Sequence, residues 1–211
     1  MNAKNLESSA LTVASVKRIQ GRADITLSSG ETLSMPRAML KEHPYRSGMP
    51  FDHKKHIAFM ESRSYTYAME KAVSYLAPRA RTEKELVDAL RKNAYSEKTI
   101  AKVMAYLIEA GYMNDASFAQ QWASARVNKG LGSRRIRMEL RQKGIGQAEI
   151  DEAIADLDEN EMICGAIKAA EKAAKGKNLL SPADRQKILA ALARRGYDYS
   201  LAKQALEHIR A

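Results

Sequence analysis

Three leucines, Leu90, Leu140 and Leu192, stand 50 and 52 residues apart, and their neighbours recur with them. Five positions after each leucine come Tyr95, Ile145 and Tyr197, and seventeen positions after each come Leu107, Leu157 and Ile209. The intervening quartets are Arg91-Lys92-Asn93-Ala94, Arg141-Gln142-Lys143-Gly144 and Ala193-Arg194-Arg195-Gly196. They read as helix C-termini. Basic side chains favour the negative end of the helix dipole, and a closing glycine tolerates a left-handed backbone. Ala94 breaks the pattern in the first copy. A period near 50 residues leaves room for about three helices per unit and predicts a tandem array in which neighbours stack. The expected fold is mainly α: repeated three-helix units in an elongated, curved array.

The first 60 residues follow a different rhythm. Residues 13–19 are rich in β-branched side chains, and Ala23, Ile25 and Leu27 alternate with Arg22, Asp24 and Thr26 at the period of a strand. Ser28-Ser29-Gly30-Glu31 reads as a turn and residues 32–35 as a partner strand. A small antiparallel meander or hairpin follows from this pattern. Pro36 suits the first position of a short helix reaching Lys41. Residues 43–51, with Pro44, Gly48 and Pro50, read as a linker. From about Thr66 the signal is helical. Ile100, Val103, Met104, Leu107 and Ile108 share one helix face. Thr82 with Glu85 forms a capping-box pattern, and Ser181, Pro182 and Asp184 mark another helix start. The expected divisions are a β-rich extension with short helix and linker at 1–60, then helical repeats at 61–115, 116–158 and 159–211.

Charge narrows the class of partner. Thirty-five Lys and Arg against 25 Asp and Glu leave a net +10, which points to polyanions or acidic protein surfaces. The lone Cys164 excludes an intramolecular disulfide and fits a reducing compartment. Residues 1–10 lack the apolar core of a signal peptide, and no stretch approaches the roughly 18 apolar residues of a membrane span. A cytoplasmic protein with no membrane contact is expected. The surplus is unevenly placed: residues 116–148 carry seven bases and one acid, whereas residues 149–161 carry seven acids and no base.

Arg134, Arg137 and Arg141 share a helix face, while Ile136 and Leu140 face another way, toward a core. Such a stripe suits either an acidic partner or ion pairs with the acidic helix that follows. In the third unit, Lys168, Lys172 and Lys175 again fall on one face. The candidate partner- or DNA-binding residues are Arg126, Lys129, Arg134, Arg135, Arg137, Arg141, Lys143, Lys168, Lys172 and Lys175.

Nothing in the chain calls for catalysis. His53 and His56 are three apart but lack further metal ligands, and a structural role is expected of them. Cys164 has no histidine placed as a base and reads as a buried small residue. Phosphate-loop and serine-elbow motifs are missing, and no carboxylate pair demands acid–base work. The expectation is a non-enzymatic monomer without metal or cofactor. Tyr95, Tyr197, Phe118 and Trp122 read as core; Tyr65, Tyr67 and Tyr75 are undecided.

The segment Gly111-Tyr112-Met113-Asn114-Asp115, with Phe118-Ala119 shortly after, precedes Arg126 and the run Gly130-Leu131-Gly132-Ser133-Arg134-Arg135-Ile136-Arg137-Met138-Glu139-Leu140-Arg141-Gln142-Lys143-Gly144-Ile145. Together these resemble the RecX family of recombination regulators. Upstream, Arg81-Thr82-Glu83-Lys84-Glu85-Leu86 is similar to the family's Arg-Ser-x-x-Glu-Leu helix start. The resemblance spans about residues 68–209 and implies tandem three-helix units. It also implies a RecA recombinase filament as partner, and inhibition of its extension, ATPase, strand exchange and coprotease activities. It assigns no catalytic residue. Arg126, Arg134 and Lys143-Gly144 fall on its motif positions. The alternative is a sequence-independent DNA-binding helical protein, on single or double strands, with no recombinase partner.

Overall fold

The structure, a computed structural model, describes residues 11–210. The signal-peptide reading of residues 1–10 lies outside the described residues. Three strands come first: β1 (Val13–Ile19), β2 (Arg22–Leu27) and β3 (Thr32–Pro36). A 3-10 turn at Arg37–Lys41 follows, then α1 (His53–Leu76), α2 (Glu83–Lys92), α3 (Glu97–Glu109), α4 (Asp115–Val127), α5 (Ser133–Gln142), α6 (Gln147–Ala155), α7 (Glu159–Ala174), α8 (Pro182–Arg194) and α9 (Tyr199–His208). Among the described residues no helix is long and apolar enough to cross a membrane. The chain divides into two compact units. One holds residues 11–81 and 85–112, the other residues 82–84 and 113–210.

In the first unit the strands form an antiparallel sheet in the order β1-β2-β3. Ile25 on the central strand sits opposite Val16 on one side and Leu33 on the other. The alternation of β2 is realised as expected: Ala23, Ile25 and Leu27 are buried and pack with Val13, Met35 and Met39. The segment expected as a linker is not one. Val13 N–H donates to Met49, Gly48 N–H to Val13, and Phe51 N–H to Leu11, so residues 48–51 run along β1, and Tyr45 and Phe51 join the core. Its prolines and glycine shape a tethered turn.

Helix α1 starts at His53, well before Thr66 and across the expected division at residue 60. Its buried face is His56, Ser64, Ala68 and Ala72, which carries no apolar stripe to reveal it in sequence. The His56 imidazole is held by the Tyr45 hydroxyl, 2.8 Å from Nδ1, and lies among the rings of Tyr45 and Phe51. Asn93, at the end of α2, packs on Gly21 in the β1–β2 turn. A Cβ on Gly21 would lie 2.3 Å from the Asn93 Oδ1, so the sheet and the first repeat close on each other there. Of the five apolar residues read onto one face of α3, Ile100, Val103, Met104 and Leu107 are buried and Ile108 is exposed.

In the second unit, Phe118, Ala119, Ala123, Val127, Ile136, Leu140, Ile145, Ile150 and Ala153 form the core of α4–α6. Ala166, Ala169, Ala170, Ile188, Leu192, Tyr197, Ala202, Ala205 and Leu206 form that of α7–α9. Met162 packs on both.

The repeat seen in the sequence is a repeat of one backbone turn. Leu90, Leu140 and Leu192 are all fully buried. The Leu90 carbonyl accepts from Tyr95 N–H at 3.3 Å, that of Leu140 from Ile145 at 3.1 Å, and that of Leu192 from Tyr197 at 3.2 Å. This is the six-to-one bond of a Schellman cap, which needs a left-handed residue one position earlier. Gly144 (φ 85°) and Gly196 (φ 91°) supply it, and Ala94 adopts it too, at φ 62°.

Helix ends inside the second unit complete one another. Ser181 and Asp198 cap α8 and α9 through side-chain oxygens, but α5 opens on Gly132 with no such group. Gly132 N–H donates instead to the Arg195 carbonyl (2.9 Å) and Arg134 N–H to that of Gly196 (3.0 Å). Donors left over at the start of α5 thus meet acceptors left over at the end of α8. The approach is too close for any side chain: a Cβ on Gly132 would lie 2.4 Å from the Gly196 carbonyl, and one on Gly196 2.3 Å from Arg135 N. Thr82, at the position equivalent to Gly132 in the repeat, makes the corresponding bond with its hydroxyl, donating to the Lys143 carbonyl at 2.8 Å.

Candidate partner-binding surface

The basic residues singled out in the sequence all lie in the second unit, and the structure sorts them by what they touch. The first group surrounds Trp122. Phe118 and Trp122, one turn apart on α4, stack with centroids 5.7 Å apart. The Arg126 guanidinium lies 3.9 Å from the Trp122 ring centre and the Lys143 ammonium 4.4 Å, so the electron-rich indole faces two cations. Glu139, from α5, closes the cluster. Its Oε2 accepts from Arg126 Nε (2.6 Å) and Trp122 Nε1 (3.1 Å), and its Oε1 from Arg135 Nε (3.4 Å). Burial raises the Glu139 pKa, but the hydrogen bond and charge of Arg126, with Trp122 and Arg135, outweigh it and hold the carboxyl below its ordinary value. Arg126 and Glu139 therefore fasten α4 to α5. The expectation that Phe118 and Trp122 are core residues holds for Phe118 and in part for Trp122, which is half-buried.

The second group is the α5 stripe. Arg137 pairs with Asp151 on α6, and Arg141 donates to Gln147 Oε1 at 2.9 and 3.2 Å. Part of the stripe thus answers to the acidic run that follows it. Arg134 is different: its backbone N–H is used in the α5 cap, while its side chain is exposed and, among the described residues, makes no ion pair. The acids themselves are dispersed. Asp156 accepts from Gln120 at 3.0 Å, and Asp158 caps α7.

The third group gathers where the end of α4 meets one face of α7. Lys129, Lys168 and Lys172 line one hollow there. Lys175 caps α7 and is exposed. Arg195 joins this group, which the sequence reading did not foresee. Its only signal was membership of a helix-ending quartet, and its position depends on a contact 65 residues away, the 3.2 Å bond from its Nη1 to the Gly130 carbonyl. Cys164, expected to be buried, is exposed on the same hollow, because α7 turns Ala166, Ala169 and Ala170 inward instead. Among the described residues no group of three or more His, Cys, Asp or Glu side chains could hold a metal ion.

Comparison with known proteins matches this architecture. The chain fits the models of the first, second and third three-helix domains of RecX at residues 68–107, 114–154 and 165–206. Regulatory protein RecX of Mycolicibacterium vanbaalenii is 36% identical over 135 residues, covering 60% of this chain and 73% of that protein. Regulatory protein RecX of Bacillus licheniformis is 28% identical over 197 residues, covering 92% and 75%. A crystal structure of regulatory protein RecX superposes with a TM-score of 0.65 at 22% identity, over 93% of this chain and 99% of that one. RecX from Lactobacillus salivarius gives 0.66 at 22% identity, over 71% and 98%. At such identities the superpositions establish the fold. With three successive family domains laid over three copies of one helical turn, and relatives matching over most of their length, the chain belongs to the RecX family of regulatory proteins.

Proposed function

We propose that the chain binds the RecA–DNA filament and inhibits its extension, and with it ATP hydrolysis, strand exchange and coprotease activity. It acts by binding, without catalysis or cofactor, in the cytoplasm, within recombinational repair and the SOS response. The observation that carries this reading is the unbroken succession of three RecX domains. The chain works as an extension (1–60) and three repeats (61–115, 116–158 and 159–211) in a single monomer. Arg134, Lys129, Lys168, Lys172 and Lys175, exposed and without ion pairs among the described residues, are the contacts offered to acidic protein surface or DNA phosphate. Arg135, Arg137, Arg141 and Lys143 contribute at the margin, and Arg126 acts by holding α4 and α5 together. Several separated cationic contacts predict avidity and strong salt dependence.

The test is titration of the chain into RecA on single-stranded DNA while ATP hydrolysis is followed. Inhibition well below one chain per RecA, with weak affinity for bare DNA, supports the reading. Tight DNA binding with no effect beyond competition for DNA would refute it in favour of a plain DNA-binding protein.

A further inference from the structure

The hollow between the end of α4 and α7 has the makings of a ligand site. Its volume is about 400 Å³, and Lys129, Lys168, Lys172 and Arg195 line it against a single carboxylate, Glu161. The end of α4 adds about half a negative charge from its free carbonyls. Four cations exceed both, so the hollow is positive overall. Three of those cations have no ion pair among the described residues, and the fourth is held in place by its bond to the Gly130 carbonyl. That bond uses one of five guanidinium N–H groups, leaving the others for a ligand.

A second feature points the same way. Tyr197 is 1% exposed, and its hydroxyl has no hydrogen-bond partner among the described residues. The hydroxyl lies beneath Gly130 and Gly165, both of which line the hollow. A Cβ on Gly165 would come within 3.1 Å of it and one on Gly130 within 3.9 Å. A buried donor left unmatched is costly, whereas a bound oxygen above these two glycines would receive its hydrogen. Side-chain-free positions thus stand where a ligand oxygen must approach Tyr197.

We propose that this hollow is an oxyanion site for a phosphate group, held by Lys129, Lys168, Lys172 and Arg195 at its rim and by the Tyr197 hydroxyl at its floor. The phosphate is either free or part of a nucleic-acid backbone. The site stands apart from the filament reading and does not depend on it.

Cys164 is the only cysteine in the chain, is exposed, and lines the hollow, so its reactivity reports occupancy. The experiment measures the rate at which a neutral maleimide modifies Cys164 in the full chain, in phosphate and in chloride at equal ionic strength. Saturable protection is expected, with modification slowed by about tenfold at high occupancy. Protection by inorganic phosphate identifies a free phosphate. Protection by a single-stranded oligonucleotide but not by phosphate, and not by the same oligonucleotide with a methylphosphonate backbone, identifies backbone phosphate. Tyr197→Phe, which removes no existing bond, and the surface pair Lys168→Gln with Lys172→Gln should each weaken whichever protection is seen. The proposal is overturned if neither phosphate nor oligonucleotide protects Cys164, or if protection is unchanged in both variants.

Discussion

Replacing Ala94 by glycine is expected to stabilise the first unit. Ala94 holds φ 62°, the left-handed position that Gly144 and Gly196 occupy in the other repeats. An alanine there costs roughly 1–2 kcal/mol through its Cβ. Glycine relieves this cost but loses more backbone entropy on folding, about 0.5–1 kcal/mol. Ala94 is half-buried, so removal of its methyl group forfeits a further fraction of the roughly 0.8 kcal/mol of a fully buried methylene. The balance is a gain of about 0.5 kcal/mol, or roughly 1–2 °C in Tm for a chain of this size. Differential scanning calorimetry and urea titration would measure it, the latter as a raised midpoint at constant slope. Gly144→Ala is the matched control in the second repeat and should move the opposite way, since its φ is 85° and its Cβ would lie 2.6 Å from that of Lys84. If Ala94→Gly is neutral or destabilising while Gly144→Ala destabilises, the cap in the first repeat is maintained by something other than its backbone torsion, and the reasoning fails.

Gly196→Ala should be much more harmful, at about 3 kcal/mol, because strain at φ 91° adds to overlap with the Arg135 backbone; a Tm loss no larger than that of Gly144→Ala would argue against the interlock. Tyr197→Phe should leave Tm unchanged or slightly raised, since its buried hydroxyl has no partner to lose; a clear drop in Tm would contradict that. His56 is held below its ordinary pKa, chiefly by burial and then by the charges of His43 and His53. Its contribution to stability is therefore present above about pH 6.5 and is lost as the pH falls through its lower folded value. Melting curves between pH 7 and 5 should show that slope in the wild type and not in His56→Phe. Finally, Arg134→Glu should weaken inhibition of RecA with no change in Tm, whereas Arg137→Glu should also lower stability slightly by facing Asp151. Equal inhibition by Arg134→Glu and wild type in the ATPase titration would remove Arg134 from the contact surface.

What the sequence reveals here is what is written locally. The β2 alternation, the Ser181-Pro182 helix start and the recurring Leu-to-aromatic spacing are short-range patterns, and each corresponds to the element expected. What it conceals depends on partners far along the chain. The first half of α1 buries histidine, serine and alanine rather than a hydrophobic stripe, so no period marks it. Residues 48–51 have the composition of a linker, yet β1 supplies their hydrogen bonds. The same holds for the surface. Charge density in residues 116–148 is legible, but the roles of its members are not. Glu139 makes Arg126 internal, Asp151 engages Arg137, and only the fold sets Arg195 beside Lys168.

The joint between Gly132 and Gly196 also bears on the order in which the chain can be built. Synthesis delivers α5 some fifty residues ahead of the two carbonyls that terminate it. Until the last repeat emerges, the first amides of α5 are served only by water. Completion of the middle repeat therefore waits for the far end of the chain. A ribosome-stalled fragment ending before Arg195 should expose Gly132 and Arg134 amides to rapid hydrogen exchange, and release of the remaining residues should protect them.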